Sequence, residues 1–264
     1  MQETPVVTQV EPKAKVEALF DSLALEYVRS RERQFSFITQ KRIVIELLGG
    51  AHGRLLEVGC GPGIMLPDLL GMGFEVHGLD VSAEMIRRAE QRVSSHALAQ
   101  RCNLGVGDVE KLDYPDATFD AVLGMGVLEY LPSYDAALRE IARVLKPGGH
   151  VVLTIPNRAS AYHVARSSYM ALRRLLGRPR ATSYEANPCL PWALDRQLAG
   201  AGLRKVTSRA CNFIFFPLKE LNERATESLN RALTPLAASA VAPYLGAQYI
   251  VKAQKTAWRS ASSG

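Results

Sequence analysis

Two kinds of residue in this chain are spaced so that they could do chemistry: alternate glycines after an apolar run, and carboxylates at the ends of apolar runs. The glycines are Gly59, Gly61 and Gly63 in Leu55-Leu56-Glu57-Val58-Gly59-Cys60-Gly61-Pro62-Gly63, with Glu57 two residues before the first. Two leucines and a valine read as the end of a buried strand, and the glycines let the backbone turn tightly with no side chain in the way. A ligand could touch that backbone directly. Ile64 to Leu70 reads as a short helix, so the amides of the turn and of its first helical turn are expected to face negative charge or lone pairs above the strand end. Asp80 and Asp108 each follow another apolar run. A carboxylate there offers two oxygens, enough for the vicinal hydroxyls of a ribose at Asp80 or for an amine at Asp108.

Several nucleotide-binding turns share part of this pattern. The dinucleotide fingerprint needs a third glycine where this chain has Ile64, and a phosphate-binding P-loop needs a Gly-Lys-Ser/Thr ending that is missing here. The spacing Gly59, Gly61, Gly63 after Glu57 instead resembles motif I of the class I S-adenosylmethionine-dependent methyltransferases. Gly107-Asp108-Val109 is similar to that family's adenine-binding position, and Phe119 to Leu131 to its motif IV and the segment after it. Lys146-Pro147-Gly148-Gly149 is similar to its turn before strand five. The resemblance covers about Leu55 to Asn157, in order and spacing.

The resemblance implies S-adenosylmethionine as cofactor, S-adenosylhomocysteine as product, and direct in-line transfer with no covalent enzyme intermediate. It implies a cofactor set of Glu57, Gly59, Cys60, Gly61, Gly63, Asp80, Val81, Met85, Asp108, Val109 and Gly124. Phe20 to Tyr27 resembles the N-terminal segment of small-molecule methyltransferases in which an aromatic closes over the cofactor, which singles out Tyr27; Tyr27 reads equally as an ordinary face residue of an amphipathic helix.

The acceptor is less legible. Enzymes of this kind that methylate amine nitrogens of adenine, cytosine or glutamine carry Asn/Asp-Pro-Pro-Tyr/Phe after strand four, where this chain has Gly124-Met125-Gly126-Val127. No nucleic-acid partner is therefore expected. Many relatives carry a histidine where Tyr130 stands, so the candidates for a general base are Tyr130, Tyr162 and His163. No acidic cluster lies near strand four, and no metal is expected. The expected reaction is methyl transfer to a small organic acceptor, a hydroxyl oxygen of a secondary metabolite, quinone or lipid-like molecule. RNA or protein methylation, and a non-catalytic cofactor-binding partner subunit, are the alternatives.

These residues need a scaffold that brings strand ends together. From Arg54 the chain alternates strand and helix with short connections, the signature of an α/β fold with a doubly wound, mostly parallel sheet. Strands are read at Arg54–Val58, Glu75–Leu79, Asn103–Val106, Phe119–Leu123, His150–Ile155, Lys205–Phe216 and Gln248–Lys252, with Lys146 to Gly149 as a sharp turn. Helices are read at Glu17–Arg33, Phe37–Leu48, Ala83–Ser94, Ala136–Leu145, Ala161–Leu176, Trp192–Gly200 and Leu218–Leu233. The family resembled implies a Rossmann-like sheet of seven strands, the last antiparallel, with a helical lid. One domain is expected over 16–252: an N-terminal helical lid at 16–50, a cofactor-binding core at 54–155, a lid and substrate excursion at 156–191, and the remaining sheet at 192–252. Tails are expected at 1–15 and 253–264.

Composition agrees with one globular core: 264 residues, 47% hydrophobic and 22% charged. No apolar run approaches the ~18 residues of a membrane span, and Met1 to Lys15 lacks an apolar h-region, so a cytoplasmic protein, or one at the periphery of a membrane, is expected. Cys60, Cys102, Cys189 and Cys211 are widely spaced and read as plain thiols. The net charge of +6 is concentrated: Ile141 to Tyr184 holds eight basic residues and no acidic one. Its arginines from Arg166 to Arg180 are either a solvated helix face or a surface for an anionic substrate, a carrier protein or a membrane.

Overall fold

The computed structural model describes residues 16–18, 20–21, 34–177, 187–213 and 223–256. Seven strands form one sheet: β1 (Arg54–Val58), β2 (Glu75–Asp80), β3 (Cys102–Val106), β4 (Phe119–Met125), β5 (Leu145–Pro156), β6 (Leu203–Cys211) and β7 (Gln248–Lys255). Their spatial order is β3-β2-β1-β4-β5-β7-β6. β1 pairs in parallel with both β2 and β4, whereas β7 runs antiparallel to both its neighbours, β5 and β6. The strand order thus reverses between β1 and β4, which opens a crevice at their carboxyl ends.

The helices are α1 (Phe35–Leu48), α2 (Leu66–Gly71), α3 (Ala83–Val93), α4 (Asp135–Val144), α5 (Ala161–Leu175), α6 (Pro191–Gly200), α7 (Glu223–Leu233) and α8 (Ala242–Leu245). Period-two alternation in the strands divides the core between the two faces of the sheet. Leu55, Val76, Leu123 and Val152 face Val44 and Leu48 of α1, Leu69 of α2 and Ala89 of α3. Leu56, Val122, Val151 and Leu153 face Leu138 and Ile141 of α4 and Leu194 and Leu198 of α6. Fully burying one such leucine is worth about 1.5–3 kcal/mol.

Local chemistry sets the element ends. The Ser82 hydroxyl accepts the Met85 amide at 3.1 Å and starts α3. At the sheet's amino edge the Asp120 carboxylate accepts the Arg54 amide at 2.9 Å and is clasped by the Lys146 ammonium at 2.8 Å, which holds its carboxyl below the ordinary range although burial opposes this.

Four sequence expectations need correction. The helix read at Ile64 to Leu70 begins only at Leu66. Lys146 to Gly149 is an irregularity within β5 rather than a turn before it: Phe119 pairs with Leu145 and Ala121 with His150, and the extra residues are absorbed with Gly148 at φ +79°. β7 continues to Lys255, so Ala253, fully buried, belongs to the sheet and not to a tail; its small side chain fits a site that composition alone marks as tail. Finally, two of the eight basic residues in the acid-free stretch are engaged away from any common surface. Arg143 pairs with Glu140 and Asp116, each at 2.8 Å, and Lys146 with Asp120.

Candidate active site

The glycine turn closes β1 in a left-handed conformation that glycine adopts without a Cβ clash: Gly59, Gly61 and Gly63 have φ of +66°, +53° and +73°. Each is glycine for a different reason. A Cβ on Gly59 would lie 2.8 Å from the Val127 side chain, and one on Gly63 would lie 2.7 Å from Leu66 and 3.1 Å from Ala89. Gly61 has nothing within 4 Å of that position and lines a cavity of about 390 Å³. Only there does the missing side chain leave room for a ligand.

The turn's amides are used differently from the sequence expectation. Cys60 donates to the Leu79 carbonyl at 3.0 Å, Gly63 to the Cys60 carbonyl at 3.1 Å, and Gly61 to the Asp80 carboxylate at 2.8 Å. These three hold the turn's own shape, because a turn packed against a neighbouring strand must satisfy its buried donors locally.

The cavity sits over the carboxyl ends of β1 to β4. Of the residues singled out from sequence, Gly59, Gly61, Asp80, Val81, Met85, Asp108, Val109 and Tyr130 line it. Glu57 and Cys60 line a small adjoining recess with Gly59, Gly61, Met65 and Met125. Gly63 packs the turn onto α3. Gly124 lines neither space; a Cβ there would meet Leu153 at 2.8 Å and Val58 at 3.3 Å, so close strand packing explains this glycine, and its neighbours Met125, Gly126 and Val127 form the wall. Tyr27 lies outside the described residues.

Asp80 is nearly buried. Its carboxylate accepts Gly61 N on one oxygen and Ser82 N, at 3.0 Å, on the other. Burial pushes its carboxyl up and those two amides pull it down. Asp108 accepts the Glu110 amide at 2.9 Å, which stiffens the turn after β3. Glu57 is the most perturbed acid: burial, then the charges of Asp80 and Asp68, push it up to about 8. Its Oε2 is buried with no hydrogen-bond partner. A buried, unsatisfied carboxyl oxygen beside a recess is a ready partner for a cationic group.

The far wall is apolar apart from Glu17. Tyr130, at the end of a 3₁₀ turn over Leu128–Tyr130, meets the Phe20 ring edge-on with centroids 4.9 Å apart, and Val16, Glu17, Val127 and Leu131 complete that side. Sequence reasoning passed over Phe20, Val127 and Leu131. Phe20 stands seven residues before Tyr27, two helical turns along one face of the expected helix, and that spacing could have found it.

Residues 178–186 of the excursion after β5 lie outside the described residues. No described residue of 156–191 lines the cavity. Its base is pinned to the sheet end: Asn157, fully buried, donates to the Gly246 carbonyl at 2.8 Å and accepts the Ala159 amide, while Cys189 donates its amide to the Pro156 carbonyl. Asn187 returns to the motif-IV turn, donating to the Glu129 carbonyl at 2.9 Å. His163 sits in the first turn of α5, its amide capped by Ser160 and its ring against Tyr162, and neither ring reaches the cavity wall. Among the described residues no group of three His, Cys, Asp or Glu side chains could hold a metal ion.

Glycine turn, paired carboxylates at successive strand ends and a reversed-order sheet with β7 antiparallel together define a class I methyltransferase fold. Comparison with known proteins agrees. The family described as Methyltransferase domain matches residues 56–153. The phosphatidylethanolamine N-methyltransferase of Cereibacter sphaeroides is 32% identical over 192 residues, covering 66% of this chain and 94% of that protein. The ubiquinone biosynthesis O-methyltransferase of Alkalilimnicola ehrlichii is 36% identical over 165 residues, 61% of this chain and 64% of that one. In fold, the chain is similar to the [4+2]-cyclase SpnF, with a TM-score of 0.65 at 22% identity over 94% of this chain and 98% of the other. The chain belongs to the S-adenosylmethionine-dependent methyltransferases.

Proposed function

We infer that this enzyme methylates a small, largely apolar organic acceptor, on a hydroxyl oxygen. The observation that carries the reading is how the cavity is divided. The sheet order puts Asp80 and Asp108, after β2 and β3, on one side of the glycine turn, and Val127, Tyr130 and Leu131, after β4, on the other. The acidic side suits a nucleoside, and the apolar side suits a hydrophobic acceptor. A cavity of about 390 Å³ is within the usual range for ligand sites. By their names the relatives above, a phosphatidylethanolamine N-methyltransferase and a ubiquinone biosynthesis O-methyltransferase, support a lipid-like acceptor, and the second supports oxygen as the atom methylated.

When bound, S-adenosylmethionine supplies a methyl group on a sulfonium sulfur that is already a good leaving group, so alignment is the main demand on the protein. Asp80 receives the ribose hydroxyls, using the second lone pair of each oxygen already held by Gly61 and Ser82. Asp108 receives the adenine amine, Val81, Met85 and Val109 pack on the base, and Gly61 leaves the room. Glu57 faces the amino group from the recess. Phe20 and Tyr130 keep water from the apolar side, and the Tyr130 hydroxyl is placed to orient an acceptor there or, as its phenolate, to deprotonate one.

Calorimetric titration with S-adenosylmethionine tests the cofactor half, and a wild type that takes up none overturns it. Labelled donor incubated with cell extract tests the acceptor half. Label in the organic-extractable fraction is expected; label confined to RNA or protein overturns this acceptor class.

A further inference from the structure

The apolar side of the cavity carries one carboxylate, that of Glu17. Residues 16–18 and 20–21 are helical, so Glu17, Phe20 and Asp21, at i, i+3 and i+4, share one helical face. Two of the three anchor that face. The Phe20 ring packs edge-on against Tyr130, after β4. The Asp21 carboxylate accepts the Ser82 hydroxyl at 2.5 Å, after β2. Ser82 is fully buried, its amide held by Asp80 and its hydroxyl capping Met85, so this second anchor belongs to the scaffold. The segment thus reaches from one wall of the cavity to the other and keeps Glu17 on the cavity. Asp21 is engaged by Ser82, Asp80 holds two amides and Asp108 holds one. Glu17 has no hydrogen-bond or ion-pair partner among the described residues, and it is exposed to solvent while lining the cavity.

Methyl transfer from a sulfonium to a hydroxyl releases one proton per turnover, and that proton must reach water. We propose that Glu17 is the catalytic base, taking the acceptor's hydroxyl proton and handing it to solvent, with Phe20 and Asp21 as positioning residues. The assignment rests on the reading of the acceptor as a hydroxyl compound. In the step, the acceptor O–H bond breaks as its proton passes to a Glu17 oxygen, and the electron pair left on the acceptor oxygen forms the new bond to the methyl carbon. The C–S bond breaks with its pair going to sulfur, which leaves as the neutral thioether. Glu17 then gives the proton to water. A carboxylate is too weak a base to remove a phenol or alcohol proton in advance, so the proton moves as the methyl does. The same reference values separate Glu17 from Tyr130: at neutral pH a carboxylate is ionised and a phenol is not. Orientation of the acceptor is then the part left to Tyr130.

The test uses the full chain, labelled S-adenosylmethionine as donor and an organic-solvent extract of cells as acceptor source, the methyl being located in the product by mass spectrometry. Glu17→Gln is expected to lower the rate about a hundredfold. Its S-adenosylmethionine affinity in calorimetry and its thermal midpoint should stay close to wild type, since Glu17 is exposed. The wild-type rate should fall as pH is lowered and the base protonates. The other titratable groups facing Glu17 are Asp80, Asp108 and Tyr130 around the cavity and Asp21 on its own face, so the acid limb belongs to Glu17 only if Glu17→Gln lacks it. Formate should restore the rate of Glu17→Ala several-fold. Asp21→Ala should raise KM and lower kcat yet keep the acid limb, and Asp21→Asn, which can still accept from Ser82, should recover most of the loss. The proposal is overturned by Glu17→Gln within roughly threefold of wild type, by an acid limb that survives in that variant, or by a cofactor affinity that falls roughly tenfold with it. A methyl on oxygen with Glu17→Gln fully active removes this assignment alone. A methyl on nitrogen or carbon, or no transfer to the extract, removes the functional reading together with it.

Discussion

The amide of Gly61 lies 2.8 Å from Asp80 Oδ2, so the carboxylate that ends β2 fixes the turn that ends β1. One acid therefore shapes the pocket and faces its contents. Asp80→Asn keeps an acceptor oxygen for one amide but loses the charge, and Asp80→Ala leaves Gly61 N and Ser82 N without their partner. Loss of a charged hydrogen bond is worth about 1.5–3 kcal/mol. Asp80→Ala is expected to weaken S-adenosylmethionine by roughly tenfold or more in calorimetry, with Asp80→Asn between it and wild type.

Glu57 gives a pH prediction. Its carboxyl, pushed up to about 8 in the fold, keeps its proton from the ordinary value of 4.5 up to about 8, where the unfolded chain has lost it. The folded state binds more protons across that window, so stability falls as pH rises through it. Glu57→Gln removes the dependence. Its unfolding midpoint should gain on that of wild type between about pH 5 and pH 8, and parallel curves would contradict the assignment.

The same proton should appear in binding. If an ammonium pairs with Glu57, binding near pH 7 drives the proton out, and the measured heat will depend on the ionisation enthalpy of the buffer. Glu57→Gln should abolish that dependence. Equal heats for wild type in phosphate and Tris would exclude the pairing.

Gly61 and Gly63 separate binding from folding. Gly63→Ala meets Leu66 and the Ala89 backbone, at 2.7 and 3.2 Å, and should lower the urea midpoint by the equivalent of about 1–3 kcal/mol. Gly61→Ala meets no atom but still strains a φ of +53°; about 1 kcal/mol is expected, together with a larger loss of cofactor affinity. Gly61→Arg should bind no cofactor while still folding.

Tyr130 and His163 divide in the same way. Tyr130→Phe should lower kcat by about a hundredfold if the Tyr130 phenolate takes the acceptor's proton, with KM little changed. His163→Ala should leave both within about twofold, since its ring does not reach the cavity wall. The reverse result would move the catalytic centre to α5.

Most of the sheet could be read from sequence, because apolar runs ending in Gly or Asp mark the carboxyl ends of parallel strands. That is where Gly59, Asp80 and Asp108 lie. Less legible was anything that depends on direction. Periodicity places α5 within one residue of its end but says nothing about which way a helix leaves the sheet, and none of the residues of α5 is buried. Val127 and Leu131 have no chemistry that distinguishes a pocket wall from core. The internal use of the Gly61 amide could not be read either, because it depends on the distance between two strand ends.

The strand order carries a consequence for synthesis. β7 lies between β5 and β6 but comes last in the chain. As the polypeptide leaves the ribosome, β6 emerges with no place in the sheet, and about 36 residues separate it from the strand that will bridge it to β5. At 5–20 residues per second that is roughly 2–7 s. During this interval β5 and β6 both present unpaired edges. A nascent chain stalled between Cys211 and Gln248 should thus be the species most dependent on chaperones, though its cofactor-binding half is already complete.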